Sequence, residues 1–113
     1  MNVAGGGALT FVGLPNLFFG ERAGFATDRR CVAFNPGPTN LQPVAGNRYV
    51  PRQFGVRTAA GADFYEDAIR AGLGAGTEFV DCWDLYHRKL GEVHCGSEVK
   101  RDVPAADWWT NIP

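Results

Sequence analysis

Fifteen glycines and seven prolines punctuate these 113 residues, and they limit the chain more than any other feature. Glycine at close to twice its ordinary share of roughly 7% implies many turns, and the prolines leave little room for uninterrupted helix. The expectation is short strands joined by loops. A chain that is 45% hydrophobic and 20% charged buries a core and is not a disordered tail. Its length suits one small domain or a piece of a larger one. Eleven Lys and Arg against twelve Asp and Glu give a formal charge of −1, so no global field steers it to nucleic acid or anionic lipid.

Cys31, Cys82 and Cys95 cannot pair without leaving one over, and their spacing fits no zinc or CxxC template, which argues against a disulfide scaffold. The opening residues carry no basic region, and the apolar run Leu9 to Val12 is too short for a signal core or a membrane span. The chain as given is therefore expected to be soluble, untargeted and cytoplasmic.

Ala8 to Val12 reads as a buried strand, and after Pro15 a second short strand resumes from Asn16 to Phe19. Arg29 to Phe34 is another strand candidate, Asn35-Pro36-Gly37-Pro38 is a turn, and Leu41 to Tyr49 is expected to pair back across it. Asp63 has the chemistry of a helix N-cap, and Glu66 completes the capping-box spacing. Phe64, Ala68, Ile69 and Leu73 form an apolar stripe before the Gly72, Gly74 and Gly76 stop. Glu78 to Asp81 then reads as a strand, Leu85 to Lys89 as a connection, and Gly91 to Gly96 as a strand closed by glycine at both ends. The result is an α/β order of strand, strand, helix, strand, strand, without repeat or low-complexity tract.

Cys95 draws the chemical interest, since it lies between His94 and Gly96 with Glu92 and Glu98 on either side. A free thiol is a potential nucleophile, but an isolated cysteine is more often a packing residue. Cys31 and Cys82 read as packing. On a regular strand Val93 and Cys95 share one face and Glu92 and His94 the other. That alternation sets His94 aside as a base and argues against a zinc site built from Cys82, His87, His94 and Cys95. Asp81 and Asp84 suit either a site or a solvated turn, and Trp108-Trp109 either stacks on a ligand or seals the core. Gly5-Gly6-Gly7 lacks the spacing of a phosphate loop.

Tyr86-His87, the hexapeptide Gly91-Glu92-Val93-His94-Cys95-Gly96, then Val99, Arg101, Trp108-Trp109 and Pro113 closely resemble the C-terminal end of the protein-arginine deiminases. Leu14-Pro15-Asn16-Leu17-Phe18, Pro36 with Asn40-Leu41, and Pro51 with Phe54-Gly55 resemble successive family segments in the same order, so the likeness covers about residues 14 to 113. It implies an α/β fold that is the C-terminal part of a pentein-type αβ propeller, about one blade and part of another. Residues 1–113 would then be a C-terminal fragment of the catalytic domain.

The same resemblance implies conversion of peptidyl-arginine to peptidyl-citrulline and ammonia, with Cys95 as the nucleophile. Thiolate attack on the guanidinium carbon expels ammonia and leaves a thiouronium that water hydrolyses. A general acid and base and guanidinium-gripping carboxylates are also needed. In the family they come from upstream segments around a His-x-Asp motif, which this chain does not contain; its histidines are His87 and His94. Arg88 and Lys89 are further candidates for substrate contact. Ser97 and Glu98 stand where the family commonly has Thr and Asn, which bears on the shape and charge of the pocket rim.

No metal or cofactor is expected from this chain itself. Calcium activation, a property of the vertebrate branch, would rest on sites largely outside it, and no Asp/Asn-rich loop suggests one. The expected partners are a protein or peptide arginine substrate and the missing upstream part of the catalytic domain, not nucleic acid or membrane. The competing reading is a non-catalytic fragment or decayed module, left by a decayed or split gene, with only a structural or partner-binding role. On either reading Phe11, Phe18, Phe19 and Val93 are expected to be left partly uncovered, making the isolated chain marginal or self-associating.

Overall fold

The glycines and prolines leave only short elements, the longest a ten-residue helix. The computed structural model describes residues 10–20 and 31–102. Gly5 to Gly7, Ala8-Leu9, Arg29-Arg30, Trp108-Trp109 and Pro113 lie outside the described residues. Strand β1 (Phe18–Gly20) pairs antiparallel with β2 (Cys31–Ala33), Phe18 facing Ala33 and Gly20 facing Cys31. Thr10 to Val12 is not a strand, and Phe11 is 90% exposed. Among the described residues nothing pairs with that segment, so its apolar pattern has no ladder to join.

Leu41 to Tyr49 does not pair back on β2. It breaks at Ala45-Gly46, whose φ values of 48° and 84° make the mirror-image two-residue turn whose twist matches a hairpin. Strand β3 (Gln42–Val44) therefore pairs with β4 (Asn47–Pro51), Val44 facing Asn47. The Asn35 to Pro38 turn joins two separate sheets and does not close a hairpin.

Helix α1 (Phe64–Leu73) starts where its cap places it. The Asp63 Oδ1 accepts from the N–H groups of Tyr65 at 3.0 Å and Glu66 at 3.1 Å, and its Oδ2 accepts from Gly55 N–H at 2.6 Å. Glu66 turns to the preceding loop instead of closing the box: it accepts from Gln53 N–H at 3.3 Å and faces Arg52 at 3.6 Å. Gly74, at φ 83°, ends the helix. Asp63→Ala is expected to cost about 1–2 kcal/mol, read as a lower urea midpoint, and Asp63→Ser should recover part of it by restoring the cap.

Strand β5 (Thr77–Val80) returns parallel to β4, Val50 facing Phe79, so the second sheet has the order β3-β4-β5 with α1 as the crossover. Val50 and Ile69 are fully buried. The two sheets are joined by polar side chains. Buried Gln53 donates through Nε2 to the carbonyls of Pro36 (2.9 Å) and Pro51 (2.7 Å), and its Oε1 accepts from Asn35 Nδ2 (2.6 Å). Asn35 Oδ1 in turn accepts from Leu17 N–H at 2.7 Å. These buried amides are satisfied, as burial demands.

The architecture is mixed α/β, with two small open sheets and one helix among the described residues. Phe18 at 63%, Phe34 at 60% and Leu90 at 78% exposure leave apolar surface uncovered. No helix of the described residues is long and apolar enough to cross a membrane.

Gly91 to Gly96 is a turn and not a strand. A 3₁₀ turn (His87–Lys89) ends on Leu90 at φ 64° and redirects the chain. Gly96 N–H then closes onto the Glu92 carbonyl at 3.0 Å, and Ser97 N–H onto that of His94 at 3.2 Å. The hexapeptide bonds to itself and to the Gly37–Asn40 loop, not to a strand neighbour, which makes it curl.

Candidate functional site

Two loops distant in sequence build the surroundings of Cys95. The first runs through Pro36-Gly37-Pro38, with Asn40 N–H bonded to the Gly37 carbonyl at 3.0 Å. The second is the hexapeptide turn. Glu92 fastens them from inside: it is buried, its Oε1 accepts from Gly37 N–H at 3.2 Å and contacts His87 Nδ1 at 2.8 Å, and its Oε2 accepts from Cys82 Sγ at 3.3 Å. The other ring nitrogen of His87 faces the Phe34 carbonyl at 3.2 Å.

Asn40 fastens the loops from outside. Its Oδ1 accepts from the N–H groups of His94 at 2.9 Å and Cys95 at 3.3 Å, and its Nδ2 donates to Cys95 Sγ at 3.2 Å. Tyr86 lies across Gly96 so closely that a Cβ there would run into the ring. Glycine at this position lets the turn fit beneath Tyr86. Cys95 is exposed, and its thiol is held below its ordinary value first by the Asn40 amide and next by a backbone hydrogen bond at Glu92, against the Glu92 charge. Cys82 is the opposite case. Burial, the hydrogen bond to Glu92 and the charges of Glu92 and Asp81 push its thiol from 9.0 up to about 12.

Several sequence expectations change here. With no strand at 91–96, the alternation that separated His94 from Cys95 no longer holds; both backbone N–H groups face one Asn40 oxygen. Cys31 is exposed and not a packing residue, whereas Cys82 is buried. Asp81 accepts from Trp83 N–H at 3.1 Å, forming a side-chain-closed turn, and lines with Phe54, Trp83 and Asp84 a cavity of about 310 Å³. Arg88 is exposed and reaches Asp84 at 3.3 Å, and Lys89 is exposed at the end of the 3₁₀ turn. The hydrogen bonds and ion pairs of the described residues bring neither to Cys95.

Sequence reasoning missed Asn40 as a partner of Cys95 and the Cys82–Glu92–His87 cluster. A polar Thr39-Asn40 pair after a Pro-Gly-Pro turn was the available signal for Asn40. Among the described residues no three His, Cys, Asp or Glu are grouped so that they could hold a metal ion.

The family model for protein-arginine deiminase (PAD) matches residues 9–110. Protein-arginine deiminase type-3 of Rattus norvegicus is 32% identical over 110 residues, which covers 95% of this chain and 16% of that protein. The type-1 protein of Mus musculus is 31% identical over 105 residues, 90% of this chain and 15% of its own length. The type-4 protein of Homo sapiens is 29% identical over 83 residues, 72% of this chain and 12% of its own. The chain thus spans about a sixth of the length of the first of these relatives. With the match running through both loops of the site, the chain belongs to the protein-arginine deiminase family.

Proposed function

We propose that this chain carries the nucleophile-bearing part of a protein-arginine deiminase, with Cys95 forming the covalent bond to the guanidinium carbon of a peptidyl arginine. The observation that carries the reading is the exposed Cys95 thiol, hydrogen-bonded by Asn40 and biased toward thiolate. A thiolate is the competent nucleophile. Its attack forms the S–C bond, ammonia leaves with a proton supplied by a general acid, and water then cleaves the thiouronium to citrulline and regenerates the thiol. The acid, the base and the guanidinium-gripping carboxylates belong to a His-x-Asp region that this sequence does not contain. In the family's pentein propeller the residues described here would form about one blade and part of another. Arg88 and Lys89, being cations, would serve carbonyls or acidic side chains flanking the target arginine and not its guanidinium.

A haloacetamidine mimic of arginine tests the assignment, because the attacking sulfur displaces halide and stays labelled. In the protein extended upstream to the whole catalytic domain, peptide mass spectrometry should find the label on Cys95 and not on Cys31 or Cys82. Exposed Cys31 controls for accessibility, and label on it in place of Cys95 removes the reading. Incubated alone with a blocked arginine ester, the chain should release no more citrulline than its Cys95→Ala variant, since the partner groups are absent.

The exposed Phe18, Phe34 and Leu90 favour a second reading, a module that acts only by binding another chain. A Cys95 that takes no label in a folded, partner-bound chain would support it.

A further inference from the structure

We propose that Asn40 is a positioning residue for Cys95, fixing the turn that carries the sulfur and presenting it with a hydrogen-bond donor. The inference rests on Cys95 as the nucleophile and deepens that reading. The orientation of the Asn40 amide follows from the network itself. Its oxygen faces two backbone N–H groups, those of His94 and Cys95, at 2.9 Å and 3.3 Å. Flipping the amide would set an NH₂ against both donors and leave Cys95 N–H without an acceptor. The group facing Cys95 Sγ at 3.2 Å is therefore the NH₂, and a donor there favours sulfur with a negative charge. The Asn40 carbonyl adds a second hold, accepting from His94 N–H at 3.1 Å, while Asn40 N–H is itself tied to Gly37 at 3.0 Å.

The nearby charged group that acts on the sulfur is the Glu92 carboxylate, which opposes the thiolate. Glu92 is buried and engaged by Gly37, His87 and Cys82. The loops thus divide the work: Glu92 closes them together, and Asn40 offsets the charge that this closure brings close to Cys95. Asn40 contacts the turn at three points, so its amide sets both the height of the sulfur and the bias of its proton.

The pH dependence of alkylation separates this role from a merely structural one. The whole chain is treated with iodoacetamide across a pH series, quenched, and the rate at Cys95 is read by peptide mass spectrometry, folded and in urea. Folding should move the Cys95 midpoint downward. Asn40→Asp keeps an acceptor oxygen for the two N–H groups and puts a carboxylate oxygen where the donor was. It should raise the midpoint by a unit or more, a tenfold loss of thiolate fraction at neutral pH, with the helical circular dichroism retained. Asn40→Ala should raise it less.

A folded Asn40→Asp chain with an unchanged midpoint overturns the assignment. So does a wild-type chain whose Cys95 midpoint is the same folded and unfolded, a comparison that needs no variant. Failure of the deiminase reading looks different: the midpoint drops on folding, the Asn40 variants behave as stated, and the arginine mimic leaves Cys95 unlabelled.

Discussion

Glu92→Ala is expected to destabilise the fold by about 3–5 kcal/mol, since three buried groups lose their hydrogen-bond partner at about 1–3 kcal/mol each. Against a total stability of about 5–15 kcal/mol for an ordinary domain, that is enough to leave much of the chain unfolded. The cause is specific. His87 and Glu92 are only 10% and 9% exposed at their side chains, and the carboxylate also serves Gly37 N–H and the Cys82 thiol. Truncation strands all three groups away from water. Glu92→Gln keeps the size and one acceptor oxygen and should lose distinctly less. Urea melts followed by tryptophan fluorescence and by circular dichroism measure both variants; a Glu92→Ala midpoint within error of wild type would falsify the role of Glu92 as the internal tie.

Raising the pH from about 9 to about 12 is expected to weaken the fold through Cys82, whose thiol is pushed from 9.0 to about 12 on folding. The sign follows from proton binding. In that window the unfolded chain has lost the Cys82 proton and the folded chain keeps it, so the folded state binds more protons and stability falls as pH rises. The contribution is complete below pH 9 and is lost on passing through 12. Its slope is about tenfold in the folding constant per pH unit at most. The measurement is a difference: Cys82→Ala should show a flatter stability profile above pH 9 than wild type. Parallel profiles would show that the Cys82 thiol does not titrate differently in the two states.

What could be read from the sequence follows the range of the interactions involved. Helix α1 was legible because Asp63, Tyr65 and Glu66 settle its start within four positions and Gly74 its end. Strand β5 and the segment giving β1 were legible for similar reasons. The hairpin at Ala45-Gly46 was not, because alanine at positive φ carries none of the Asn-Gly or Asp-Gly signal of such a turn. The hexapeptide misled more seriously. Val93 between polar neighbours and bracketing glycines imitates a strand, yet its conformation is decided by Asn40 and Gly37, more than fifty positions upstream. Cys95 as the residue of interest came from the motif, whereas the amide beneath it came only from the folded chain.

The junction between Asn40 and Cys95 spans 55 positions, whereas the β3–β4 hairpin turns within two residues and α1 draws on near neighbours. Loop closure grows more costly with length, by about 0.6 kcal/mol per doubling, and hairpins form in roughly 1–10 μs. Local elements are therefore expected to assemble first and the two loops to meet late. The sulfur then acts as a clock. A refolding chain pulsed with iodoacetamide at neutral pH should show an ordinary cysteine at position 95 while helix signal is already present, and an acidified one only after the ends have met. On that order, the lowered thiol of Cys95 is expected to be acquired with the long-range contact and not before it.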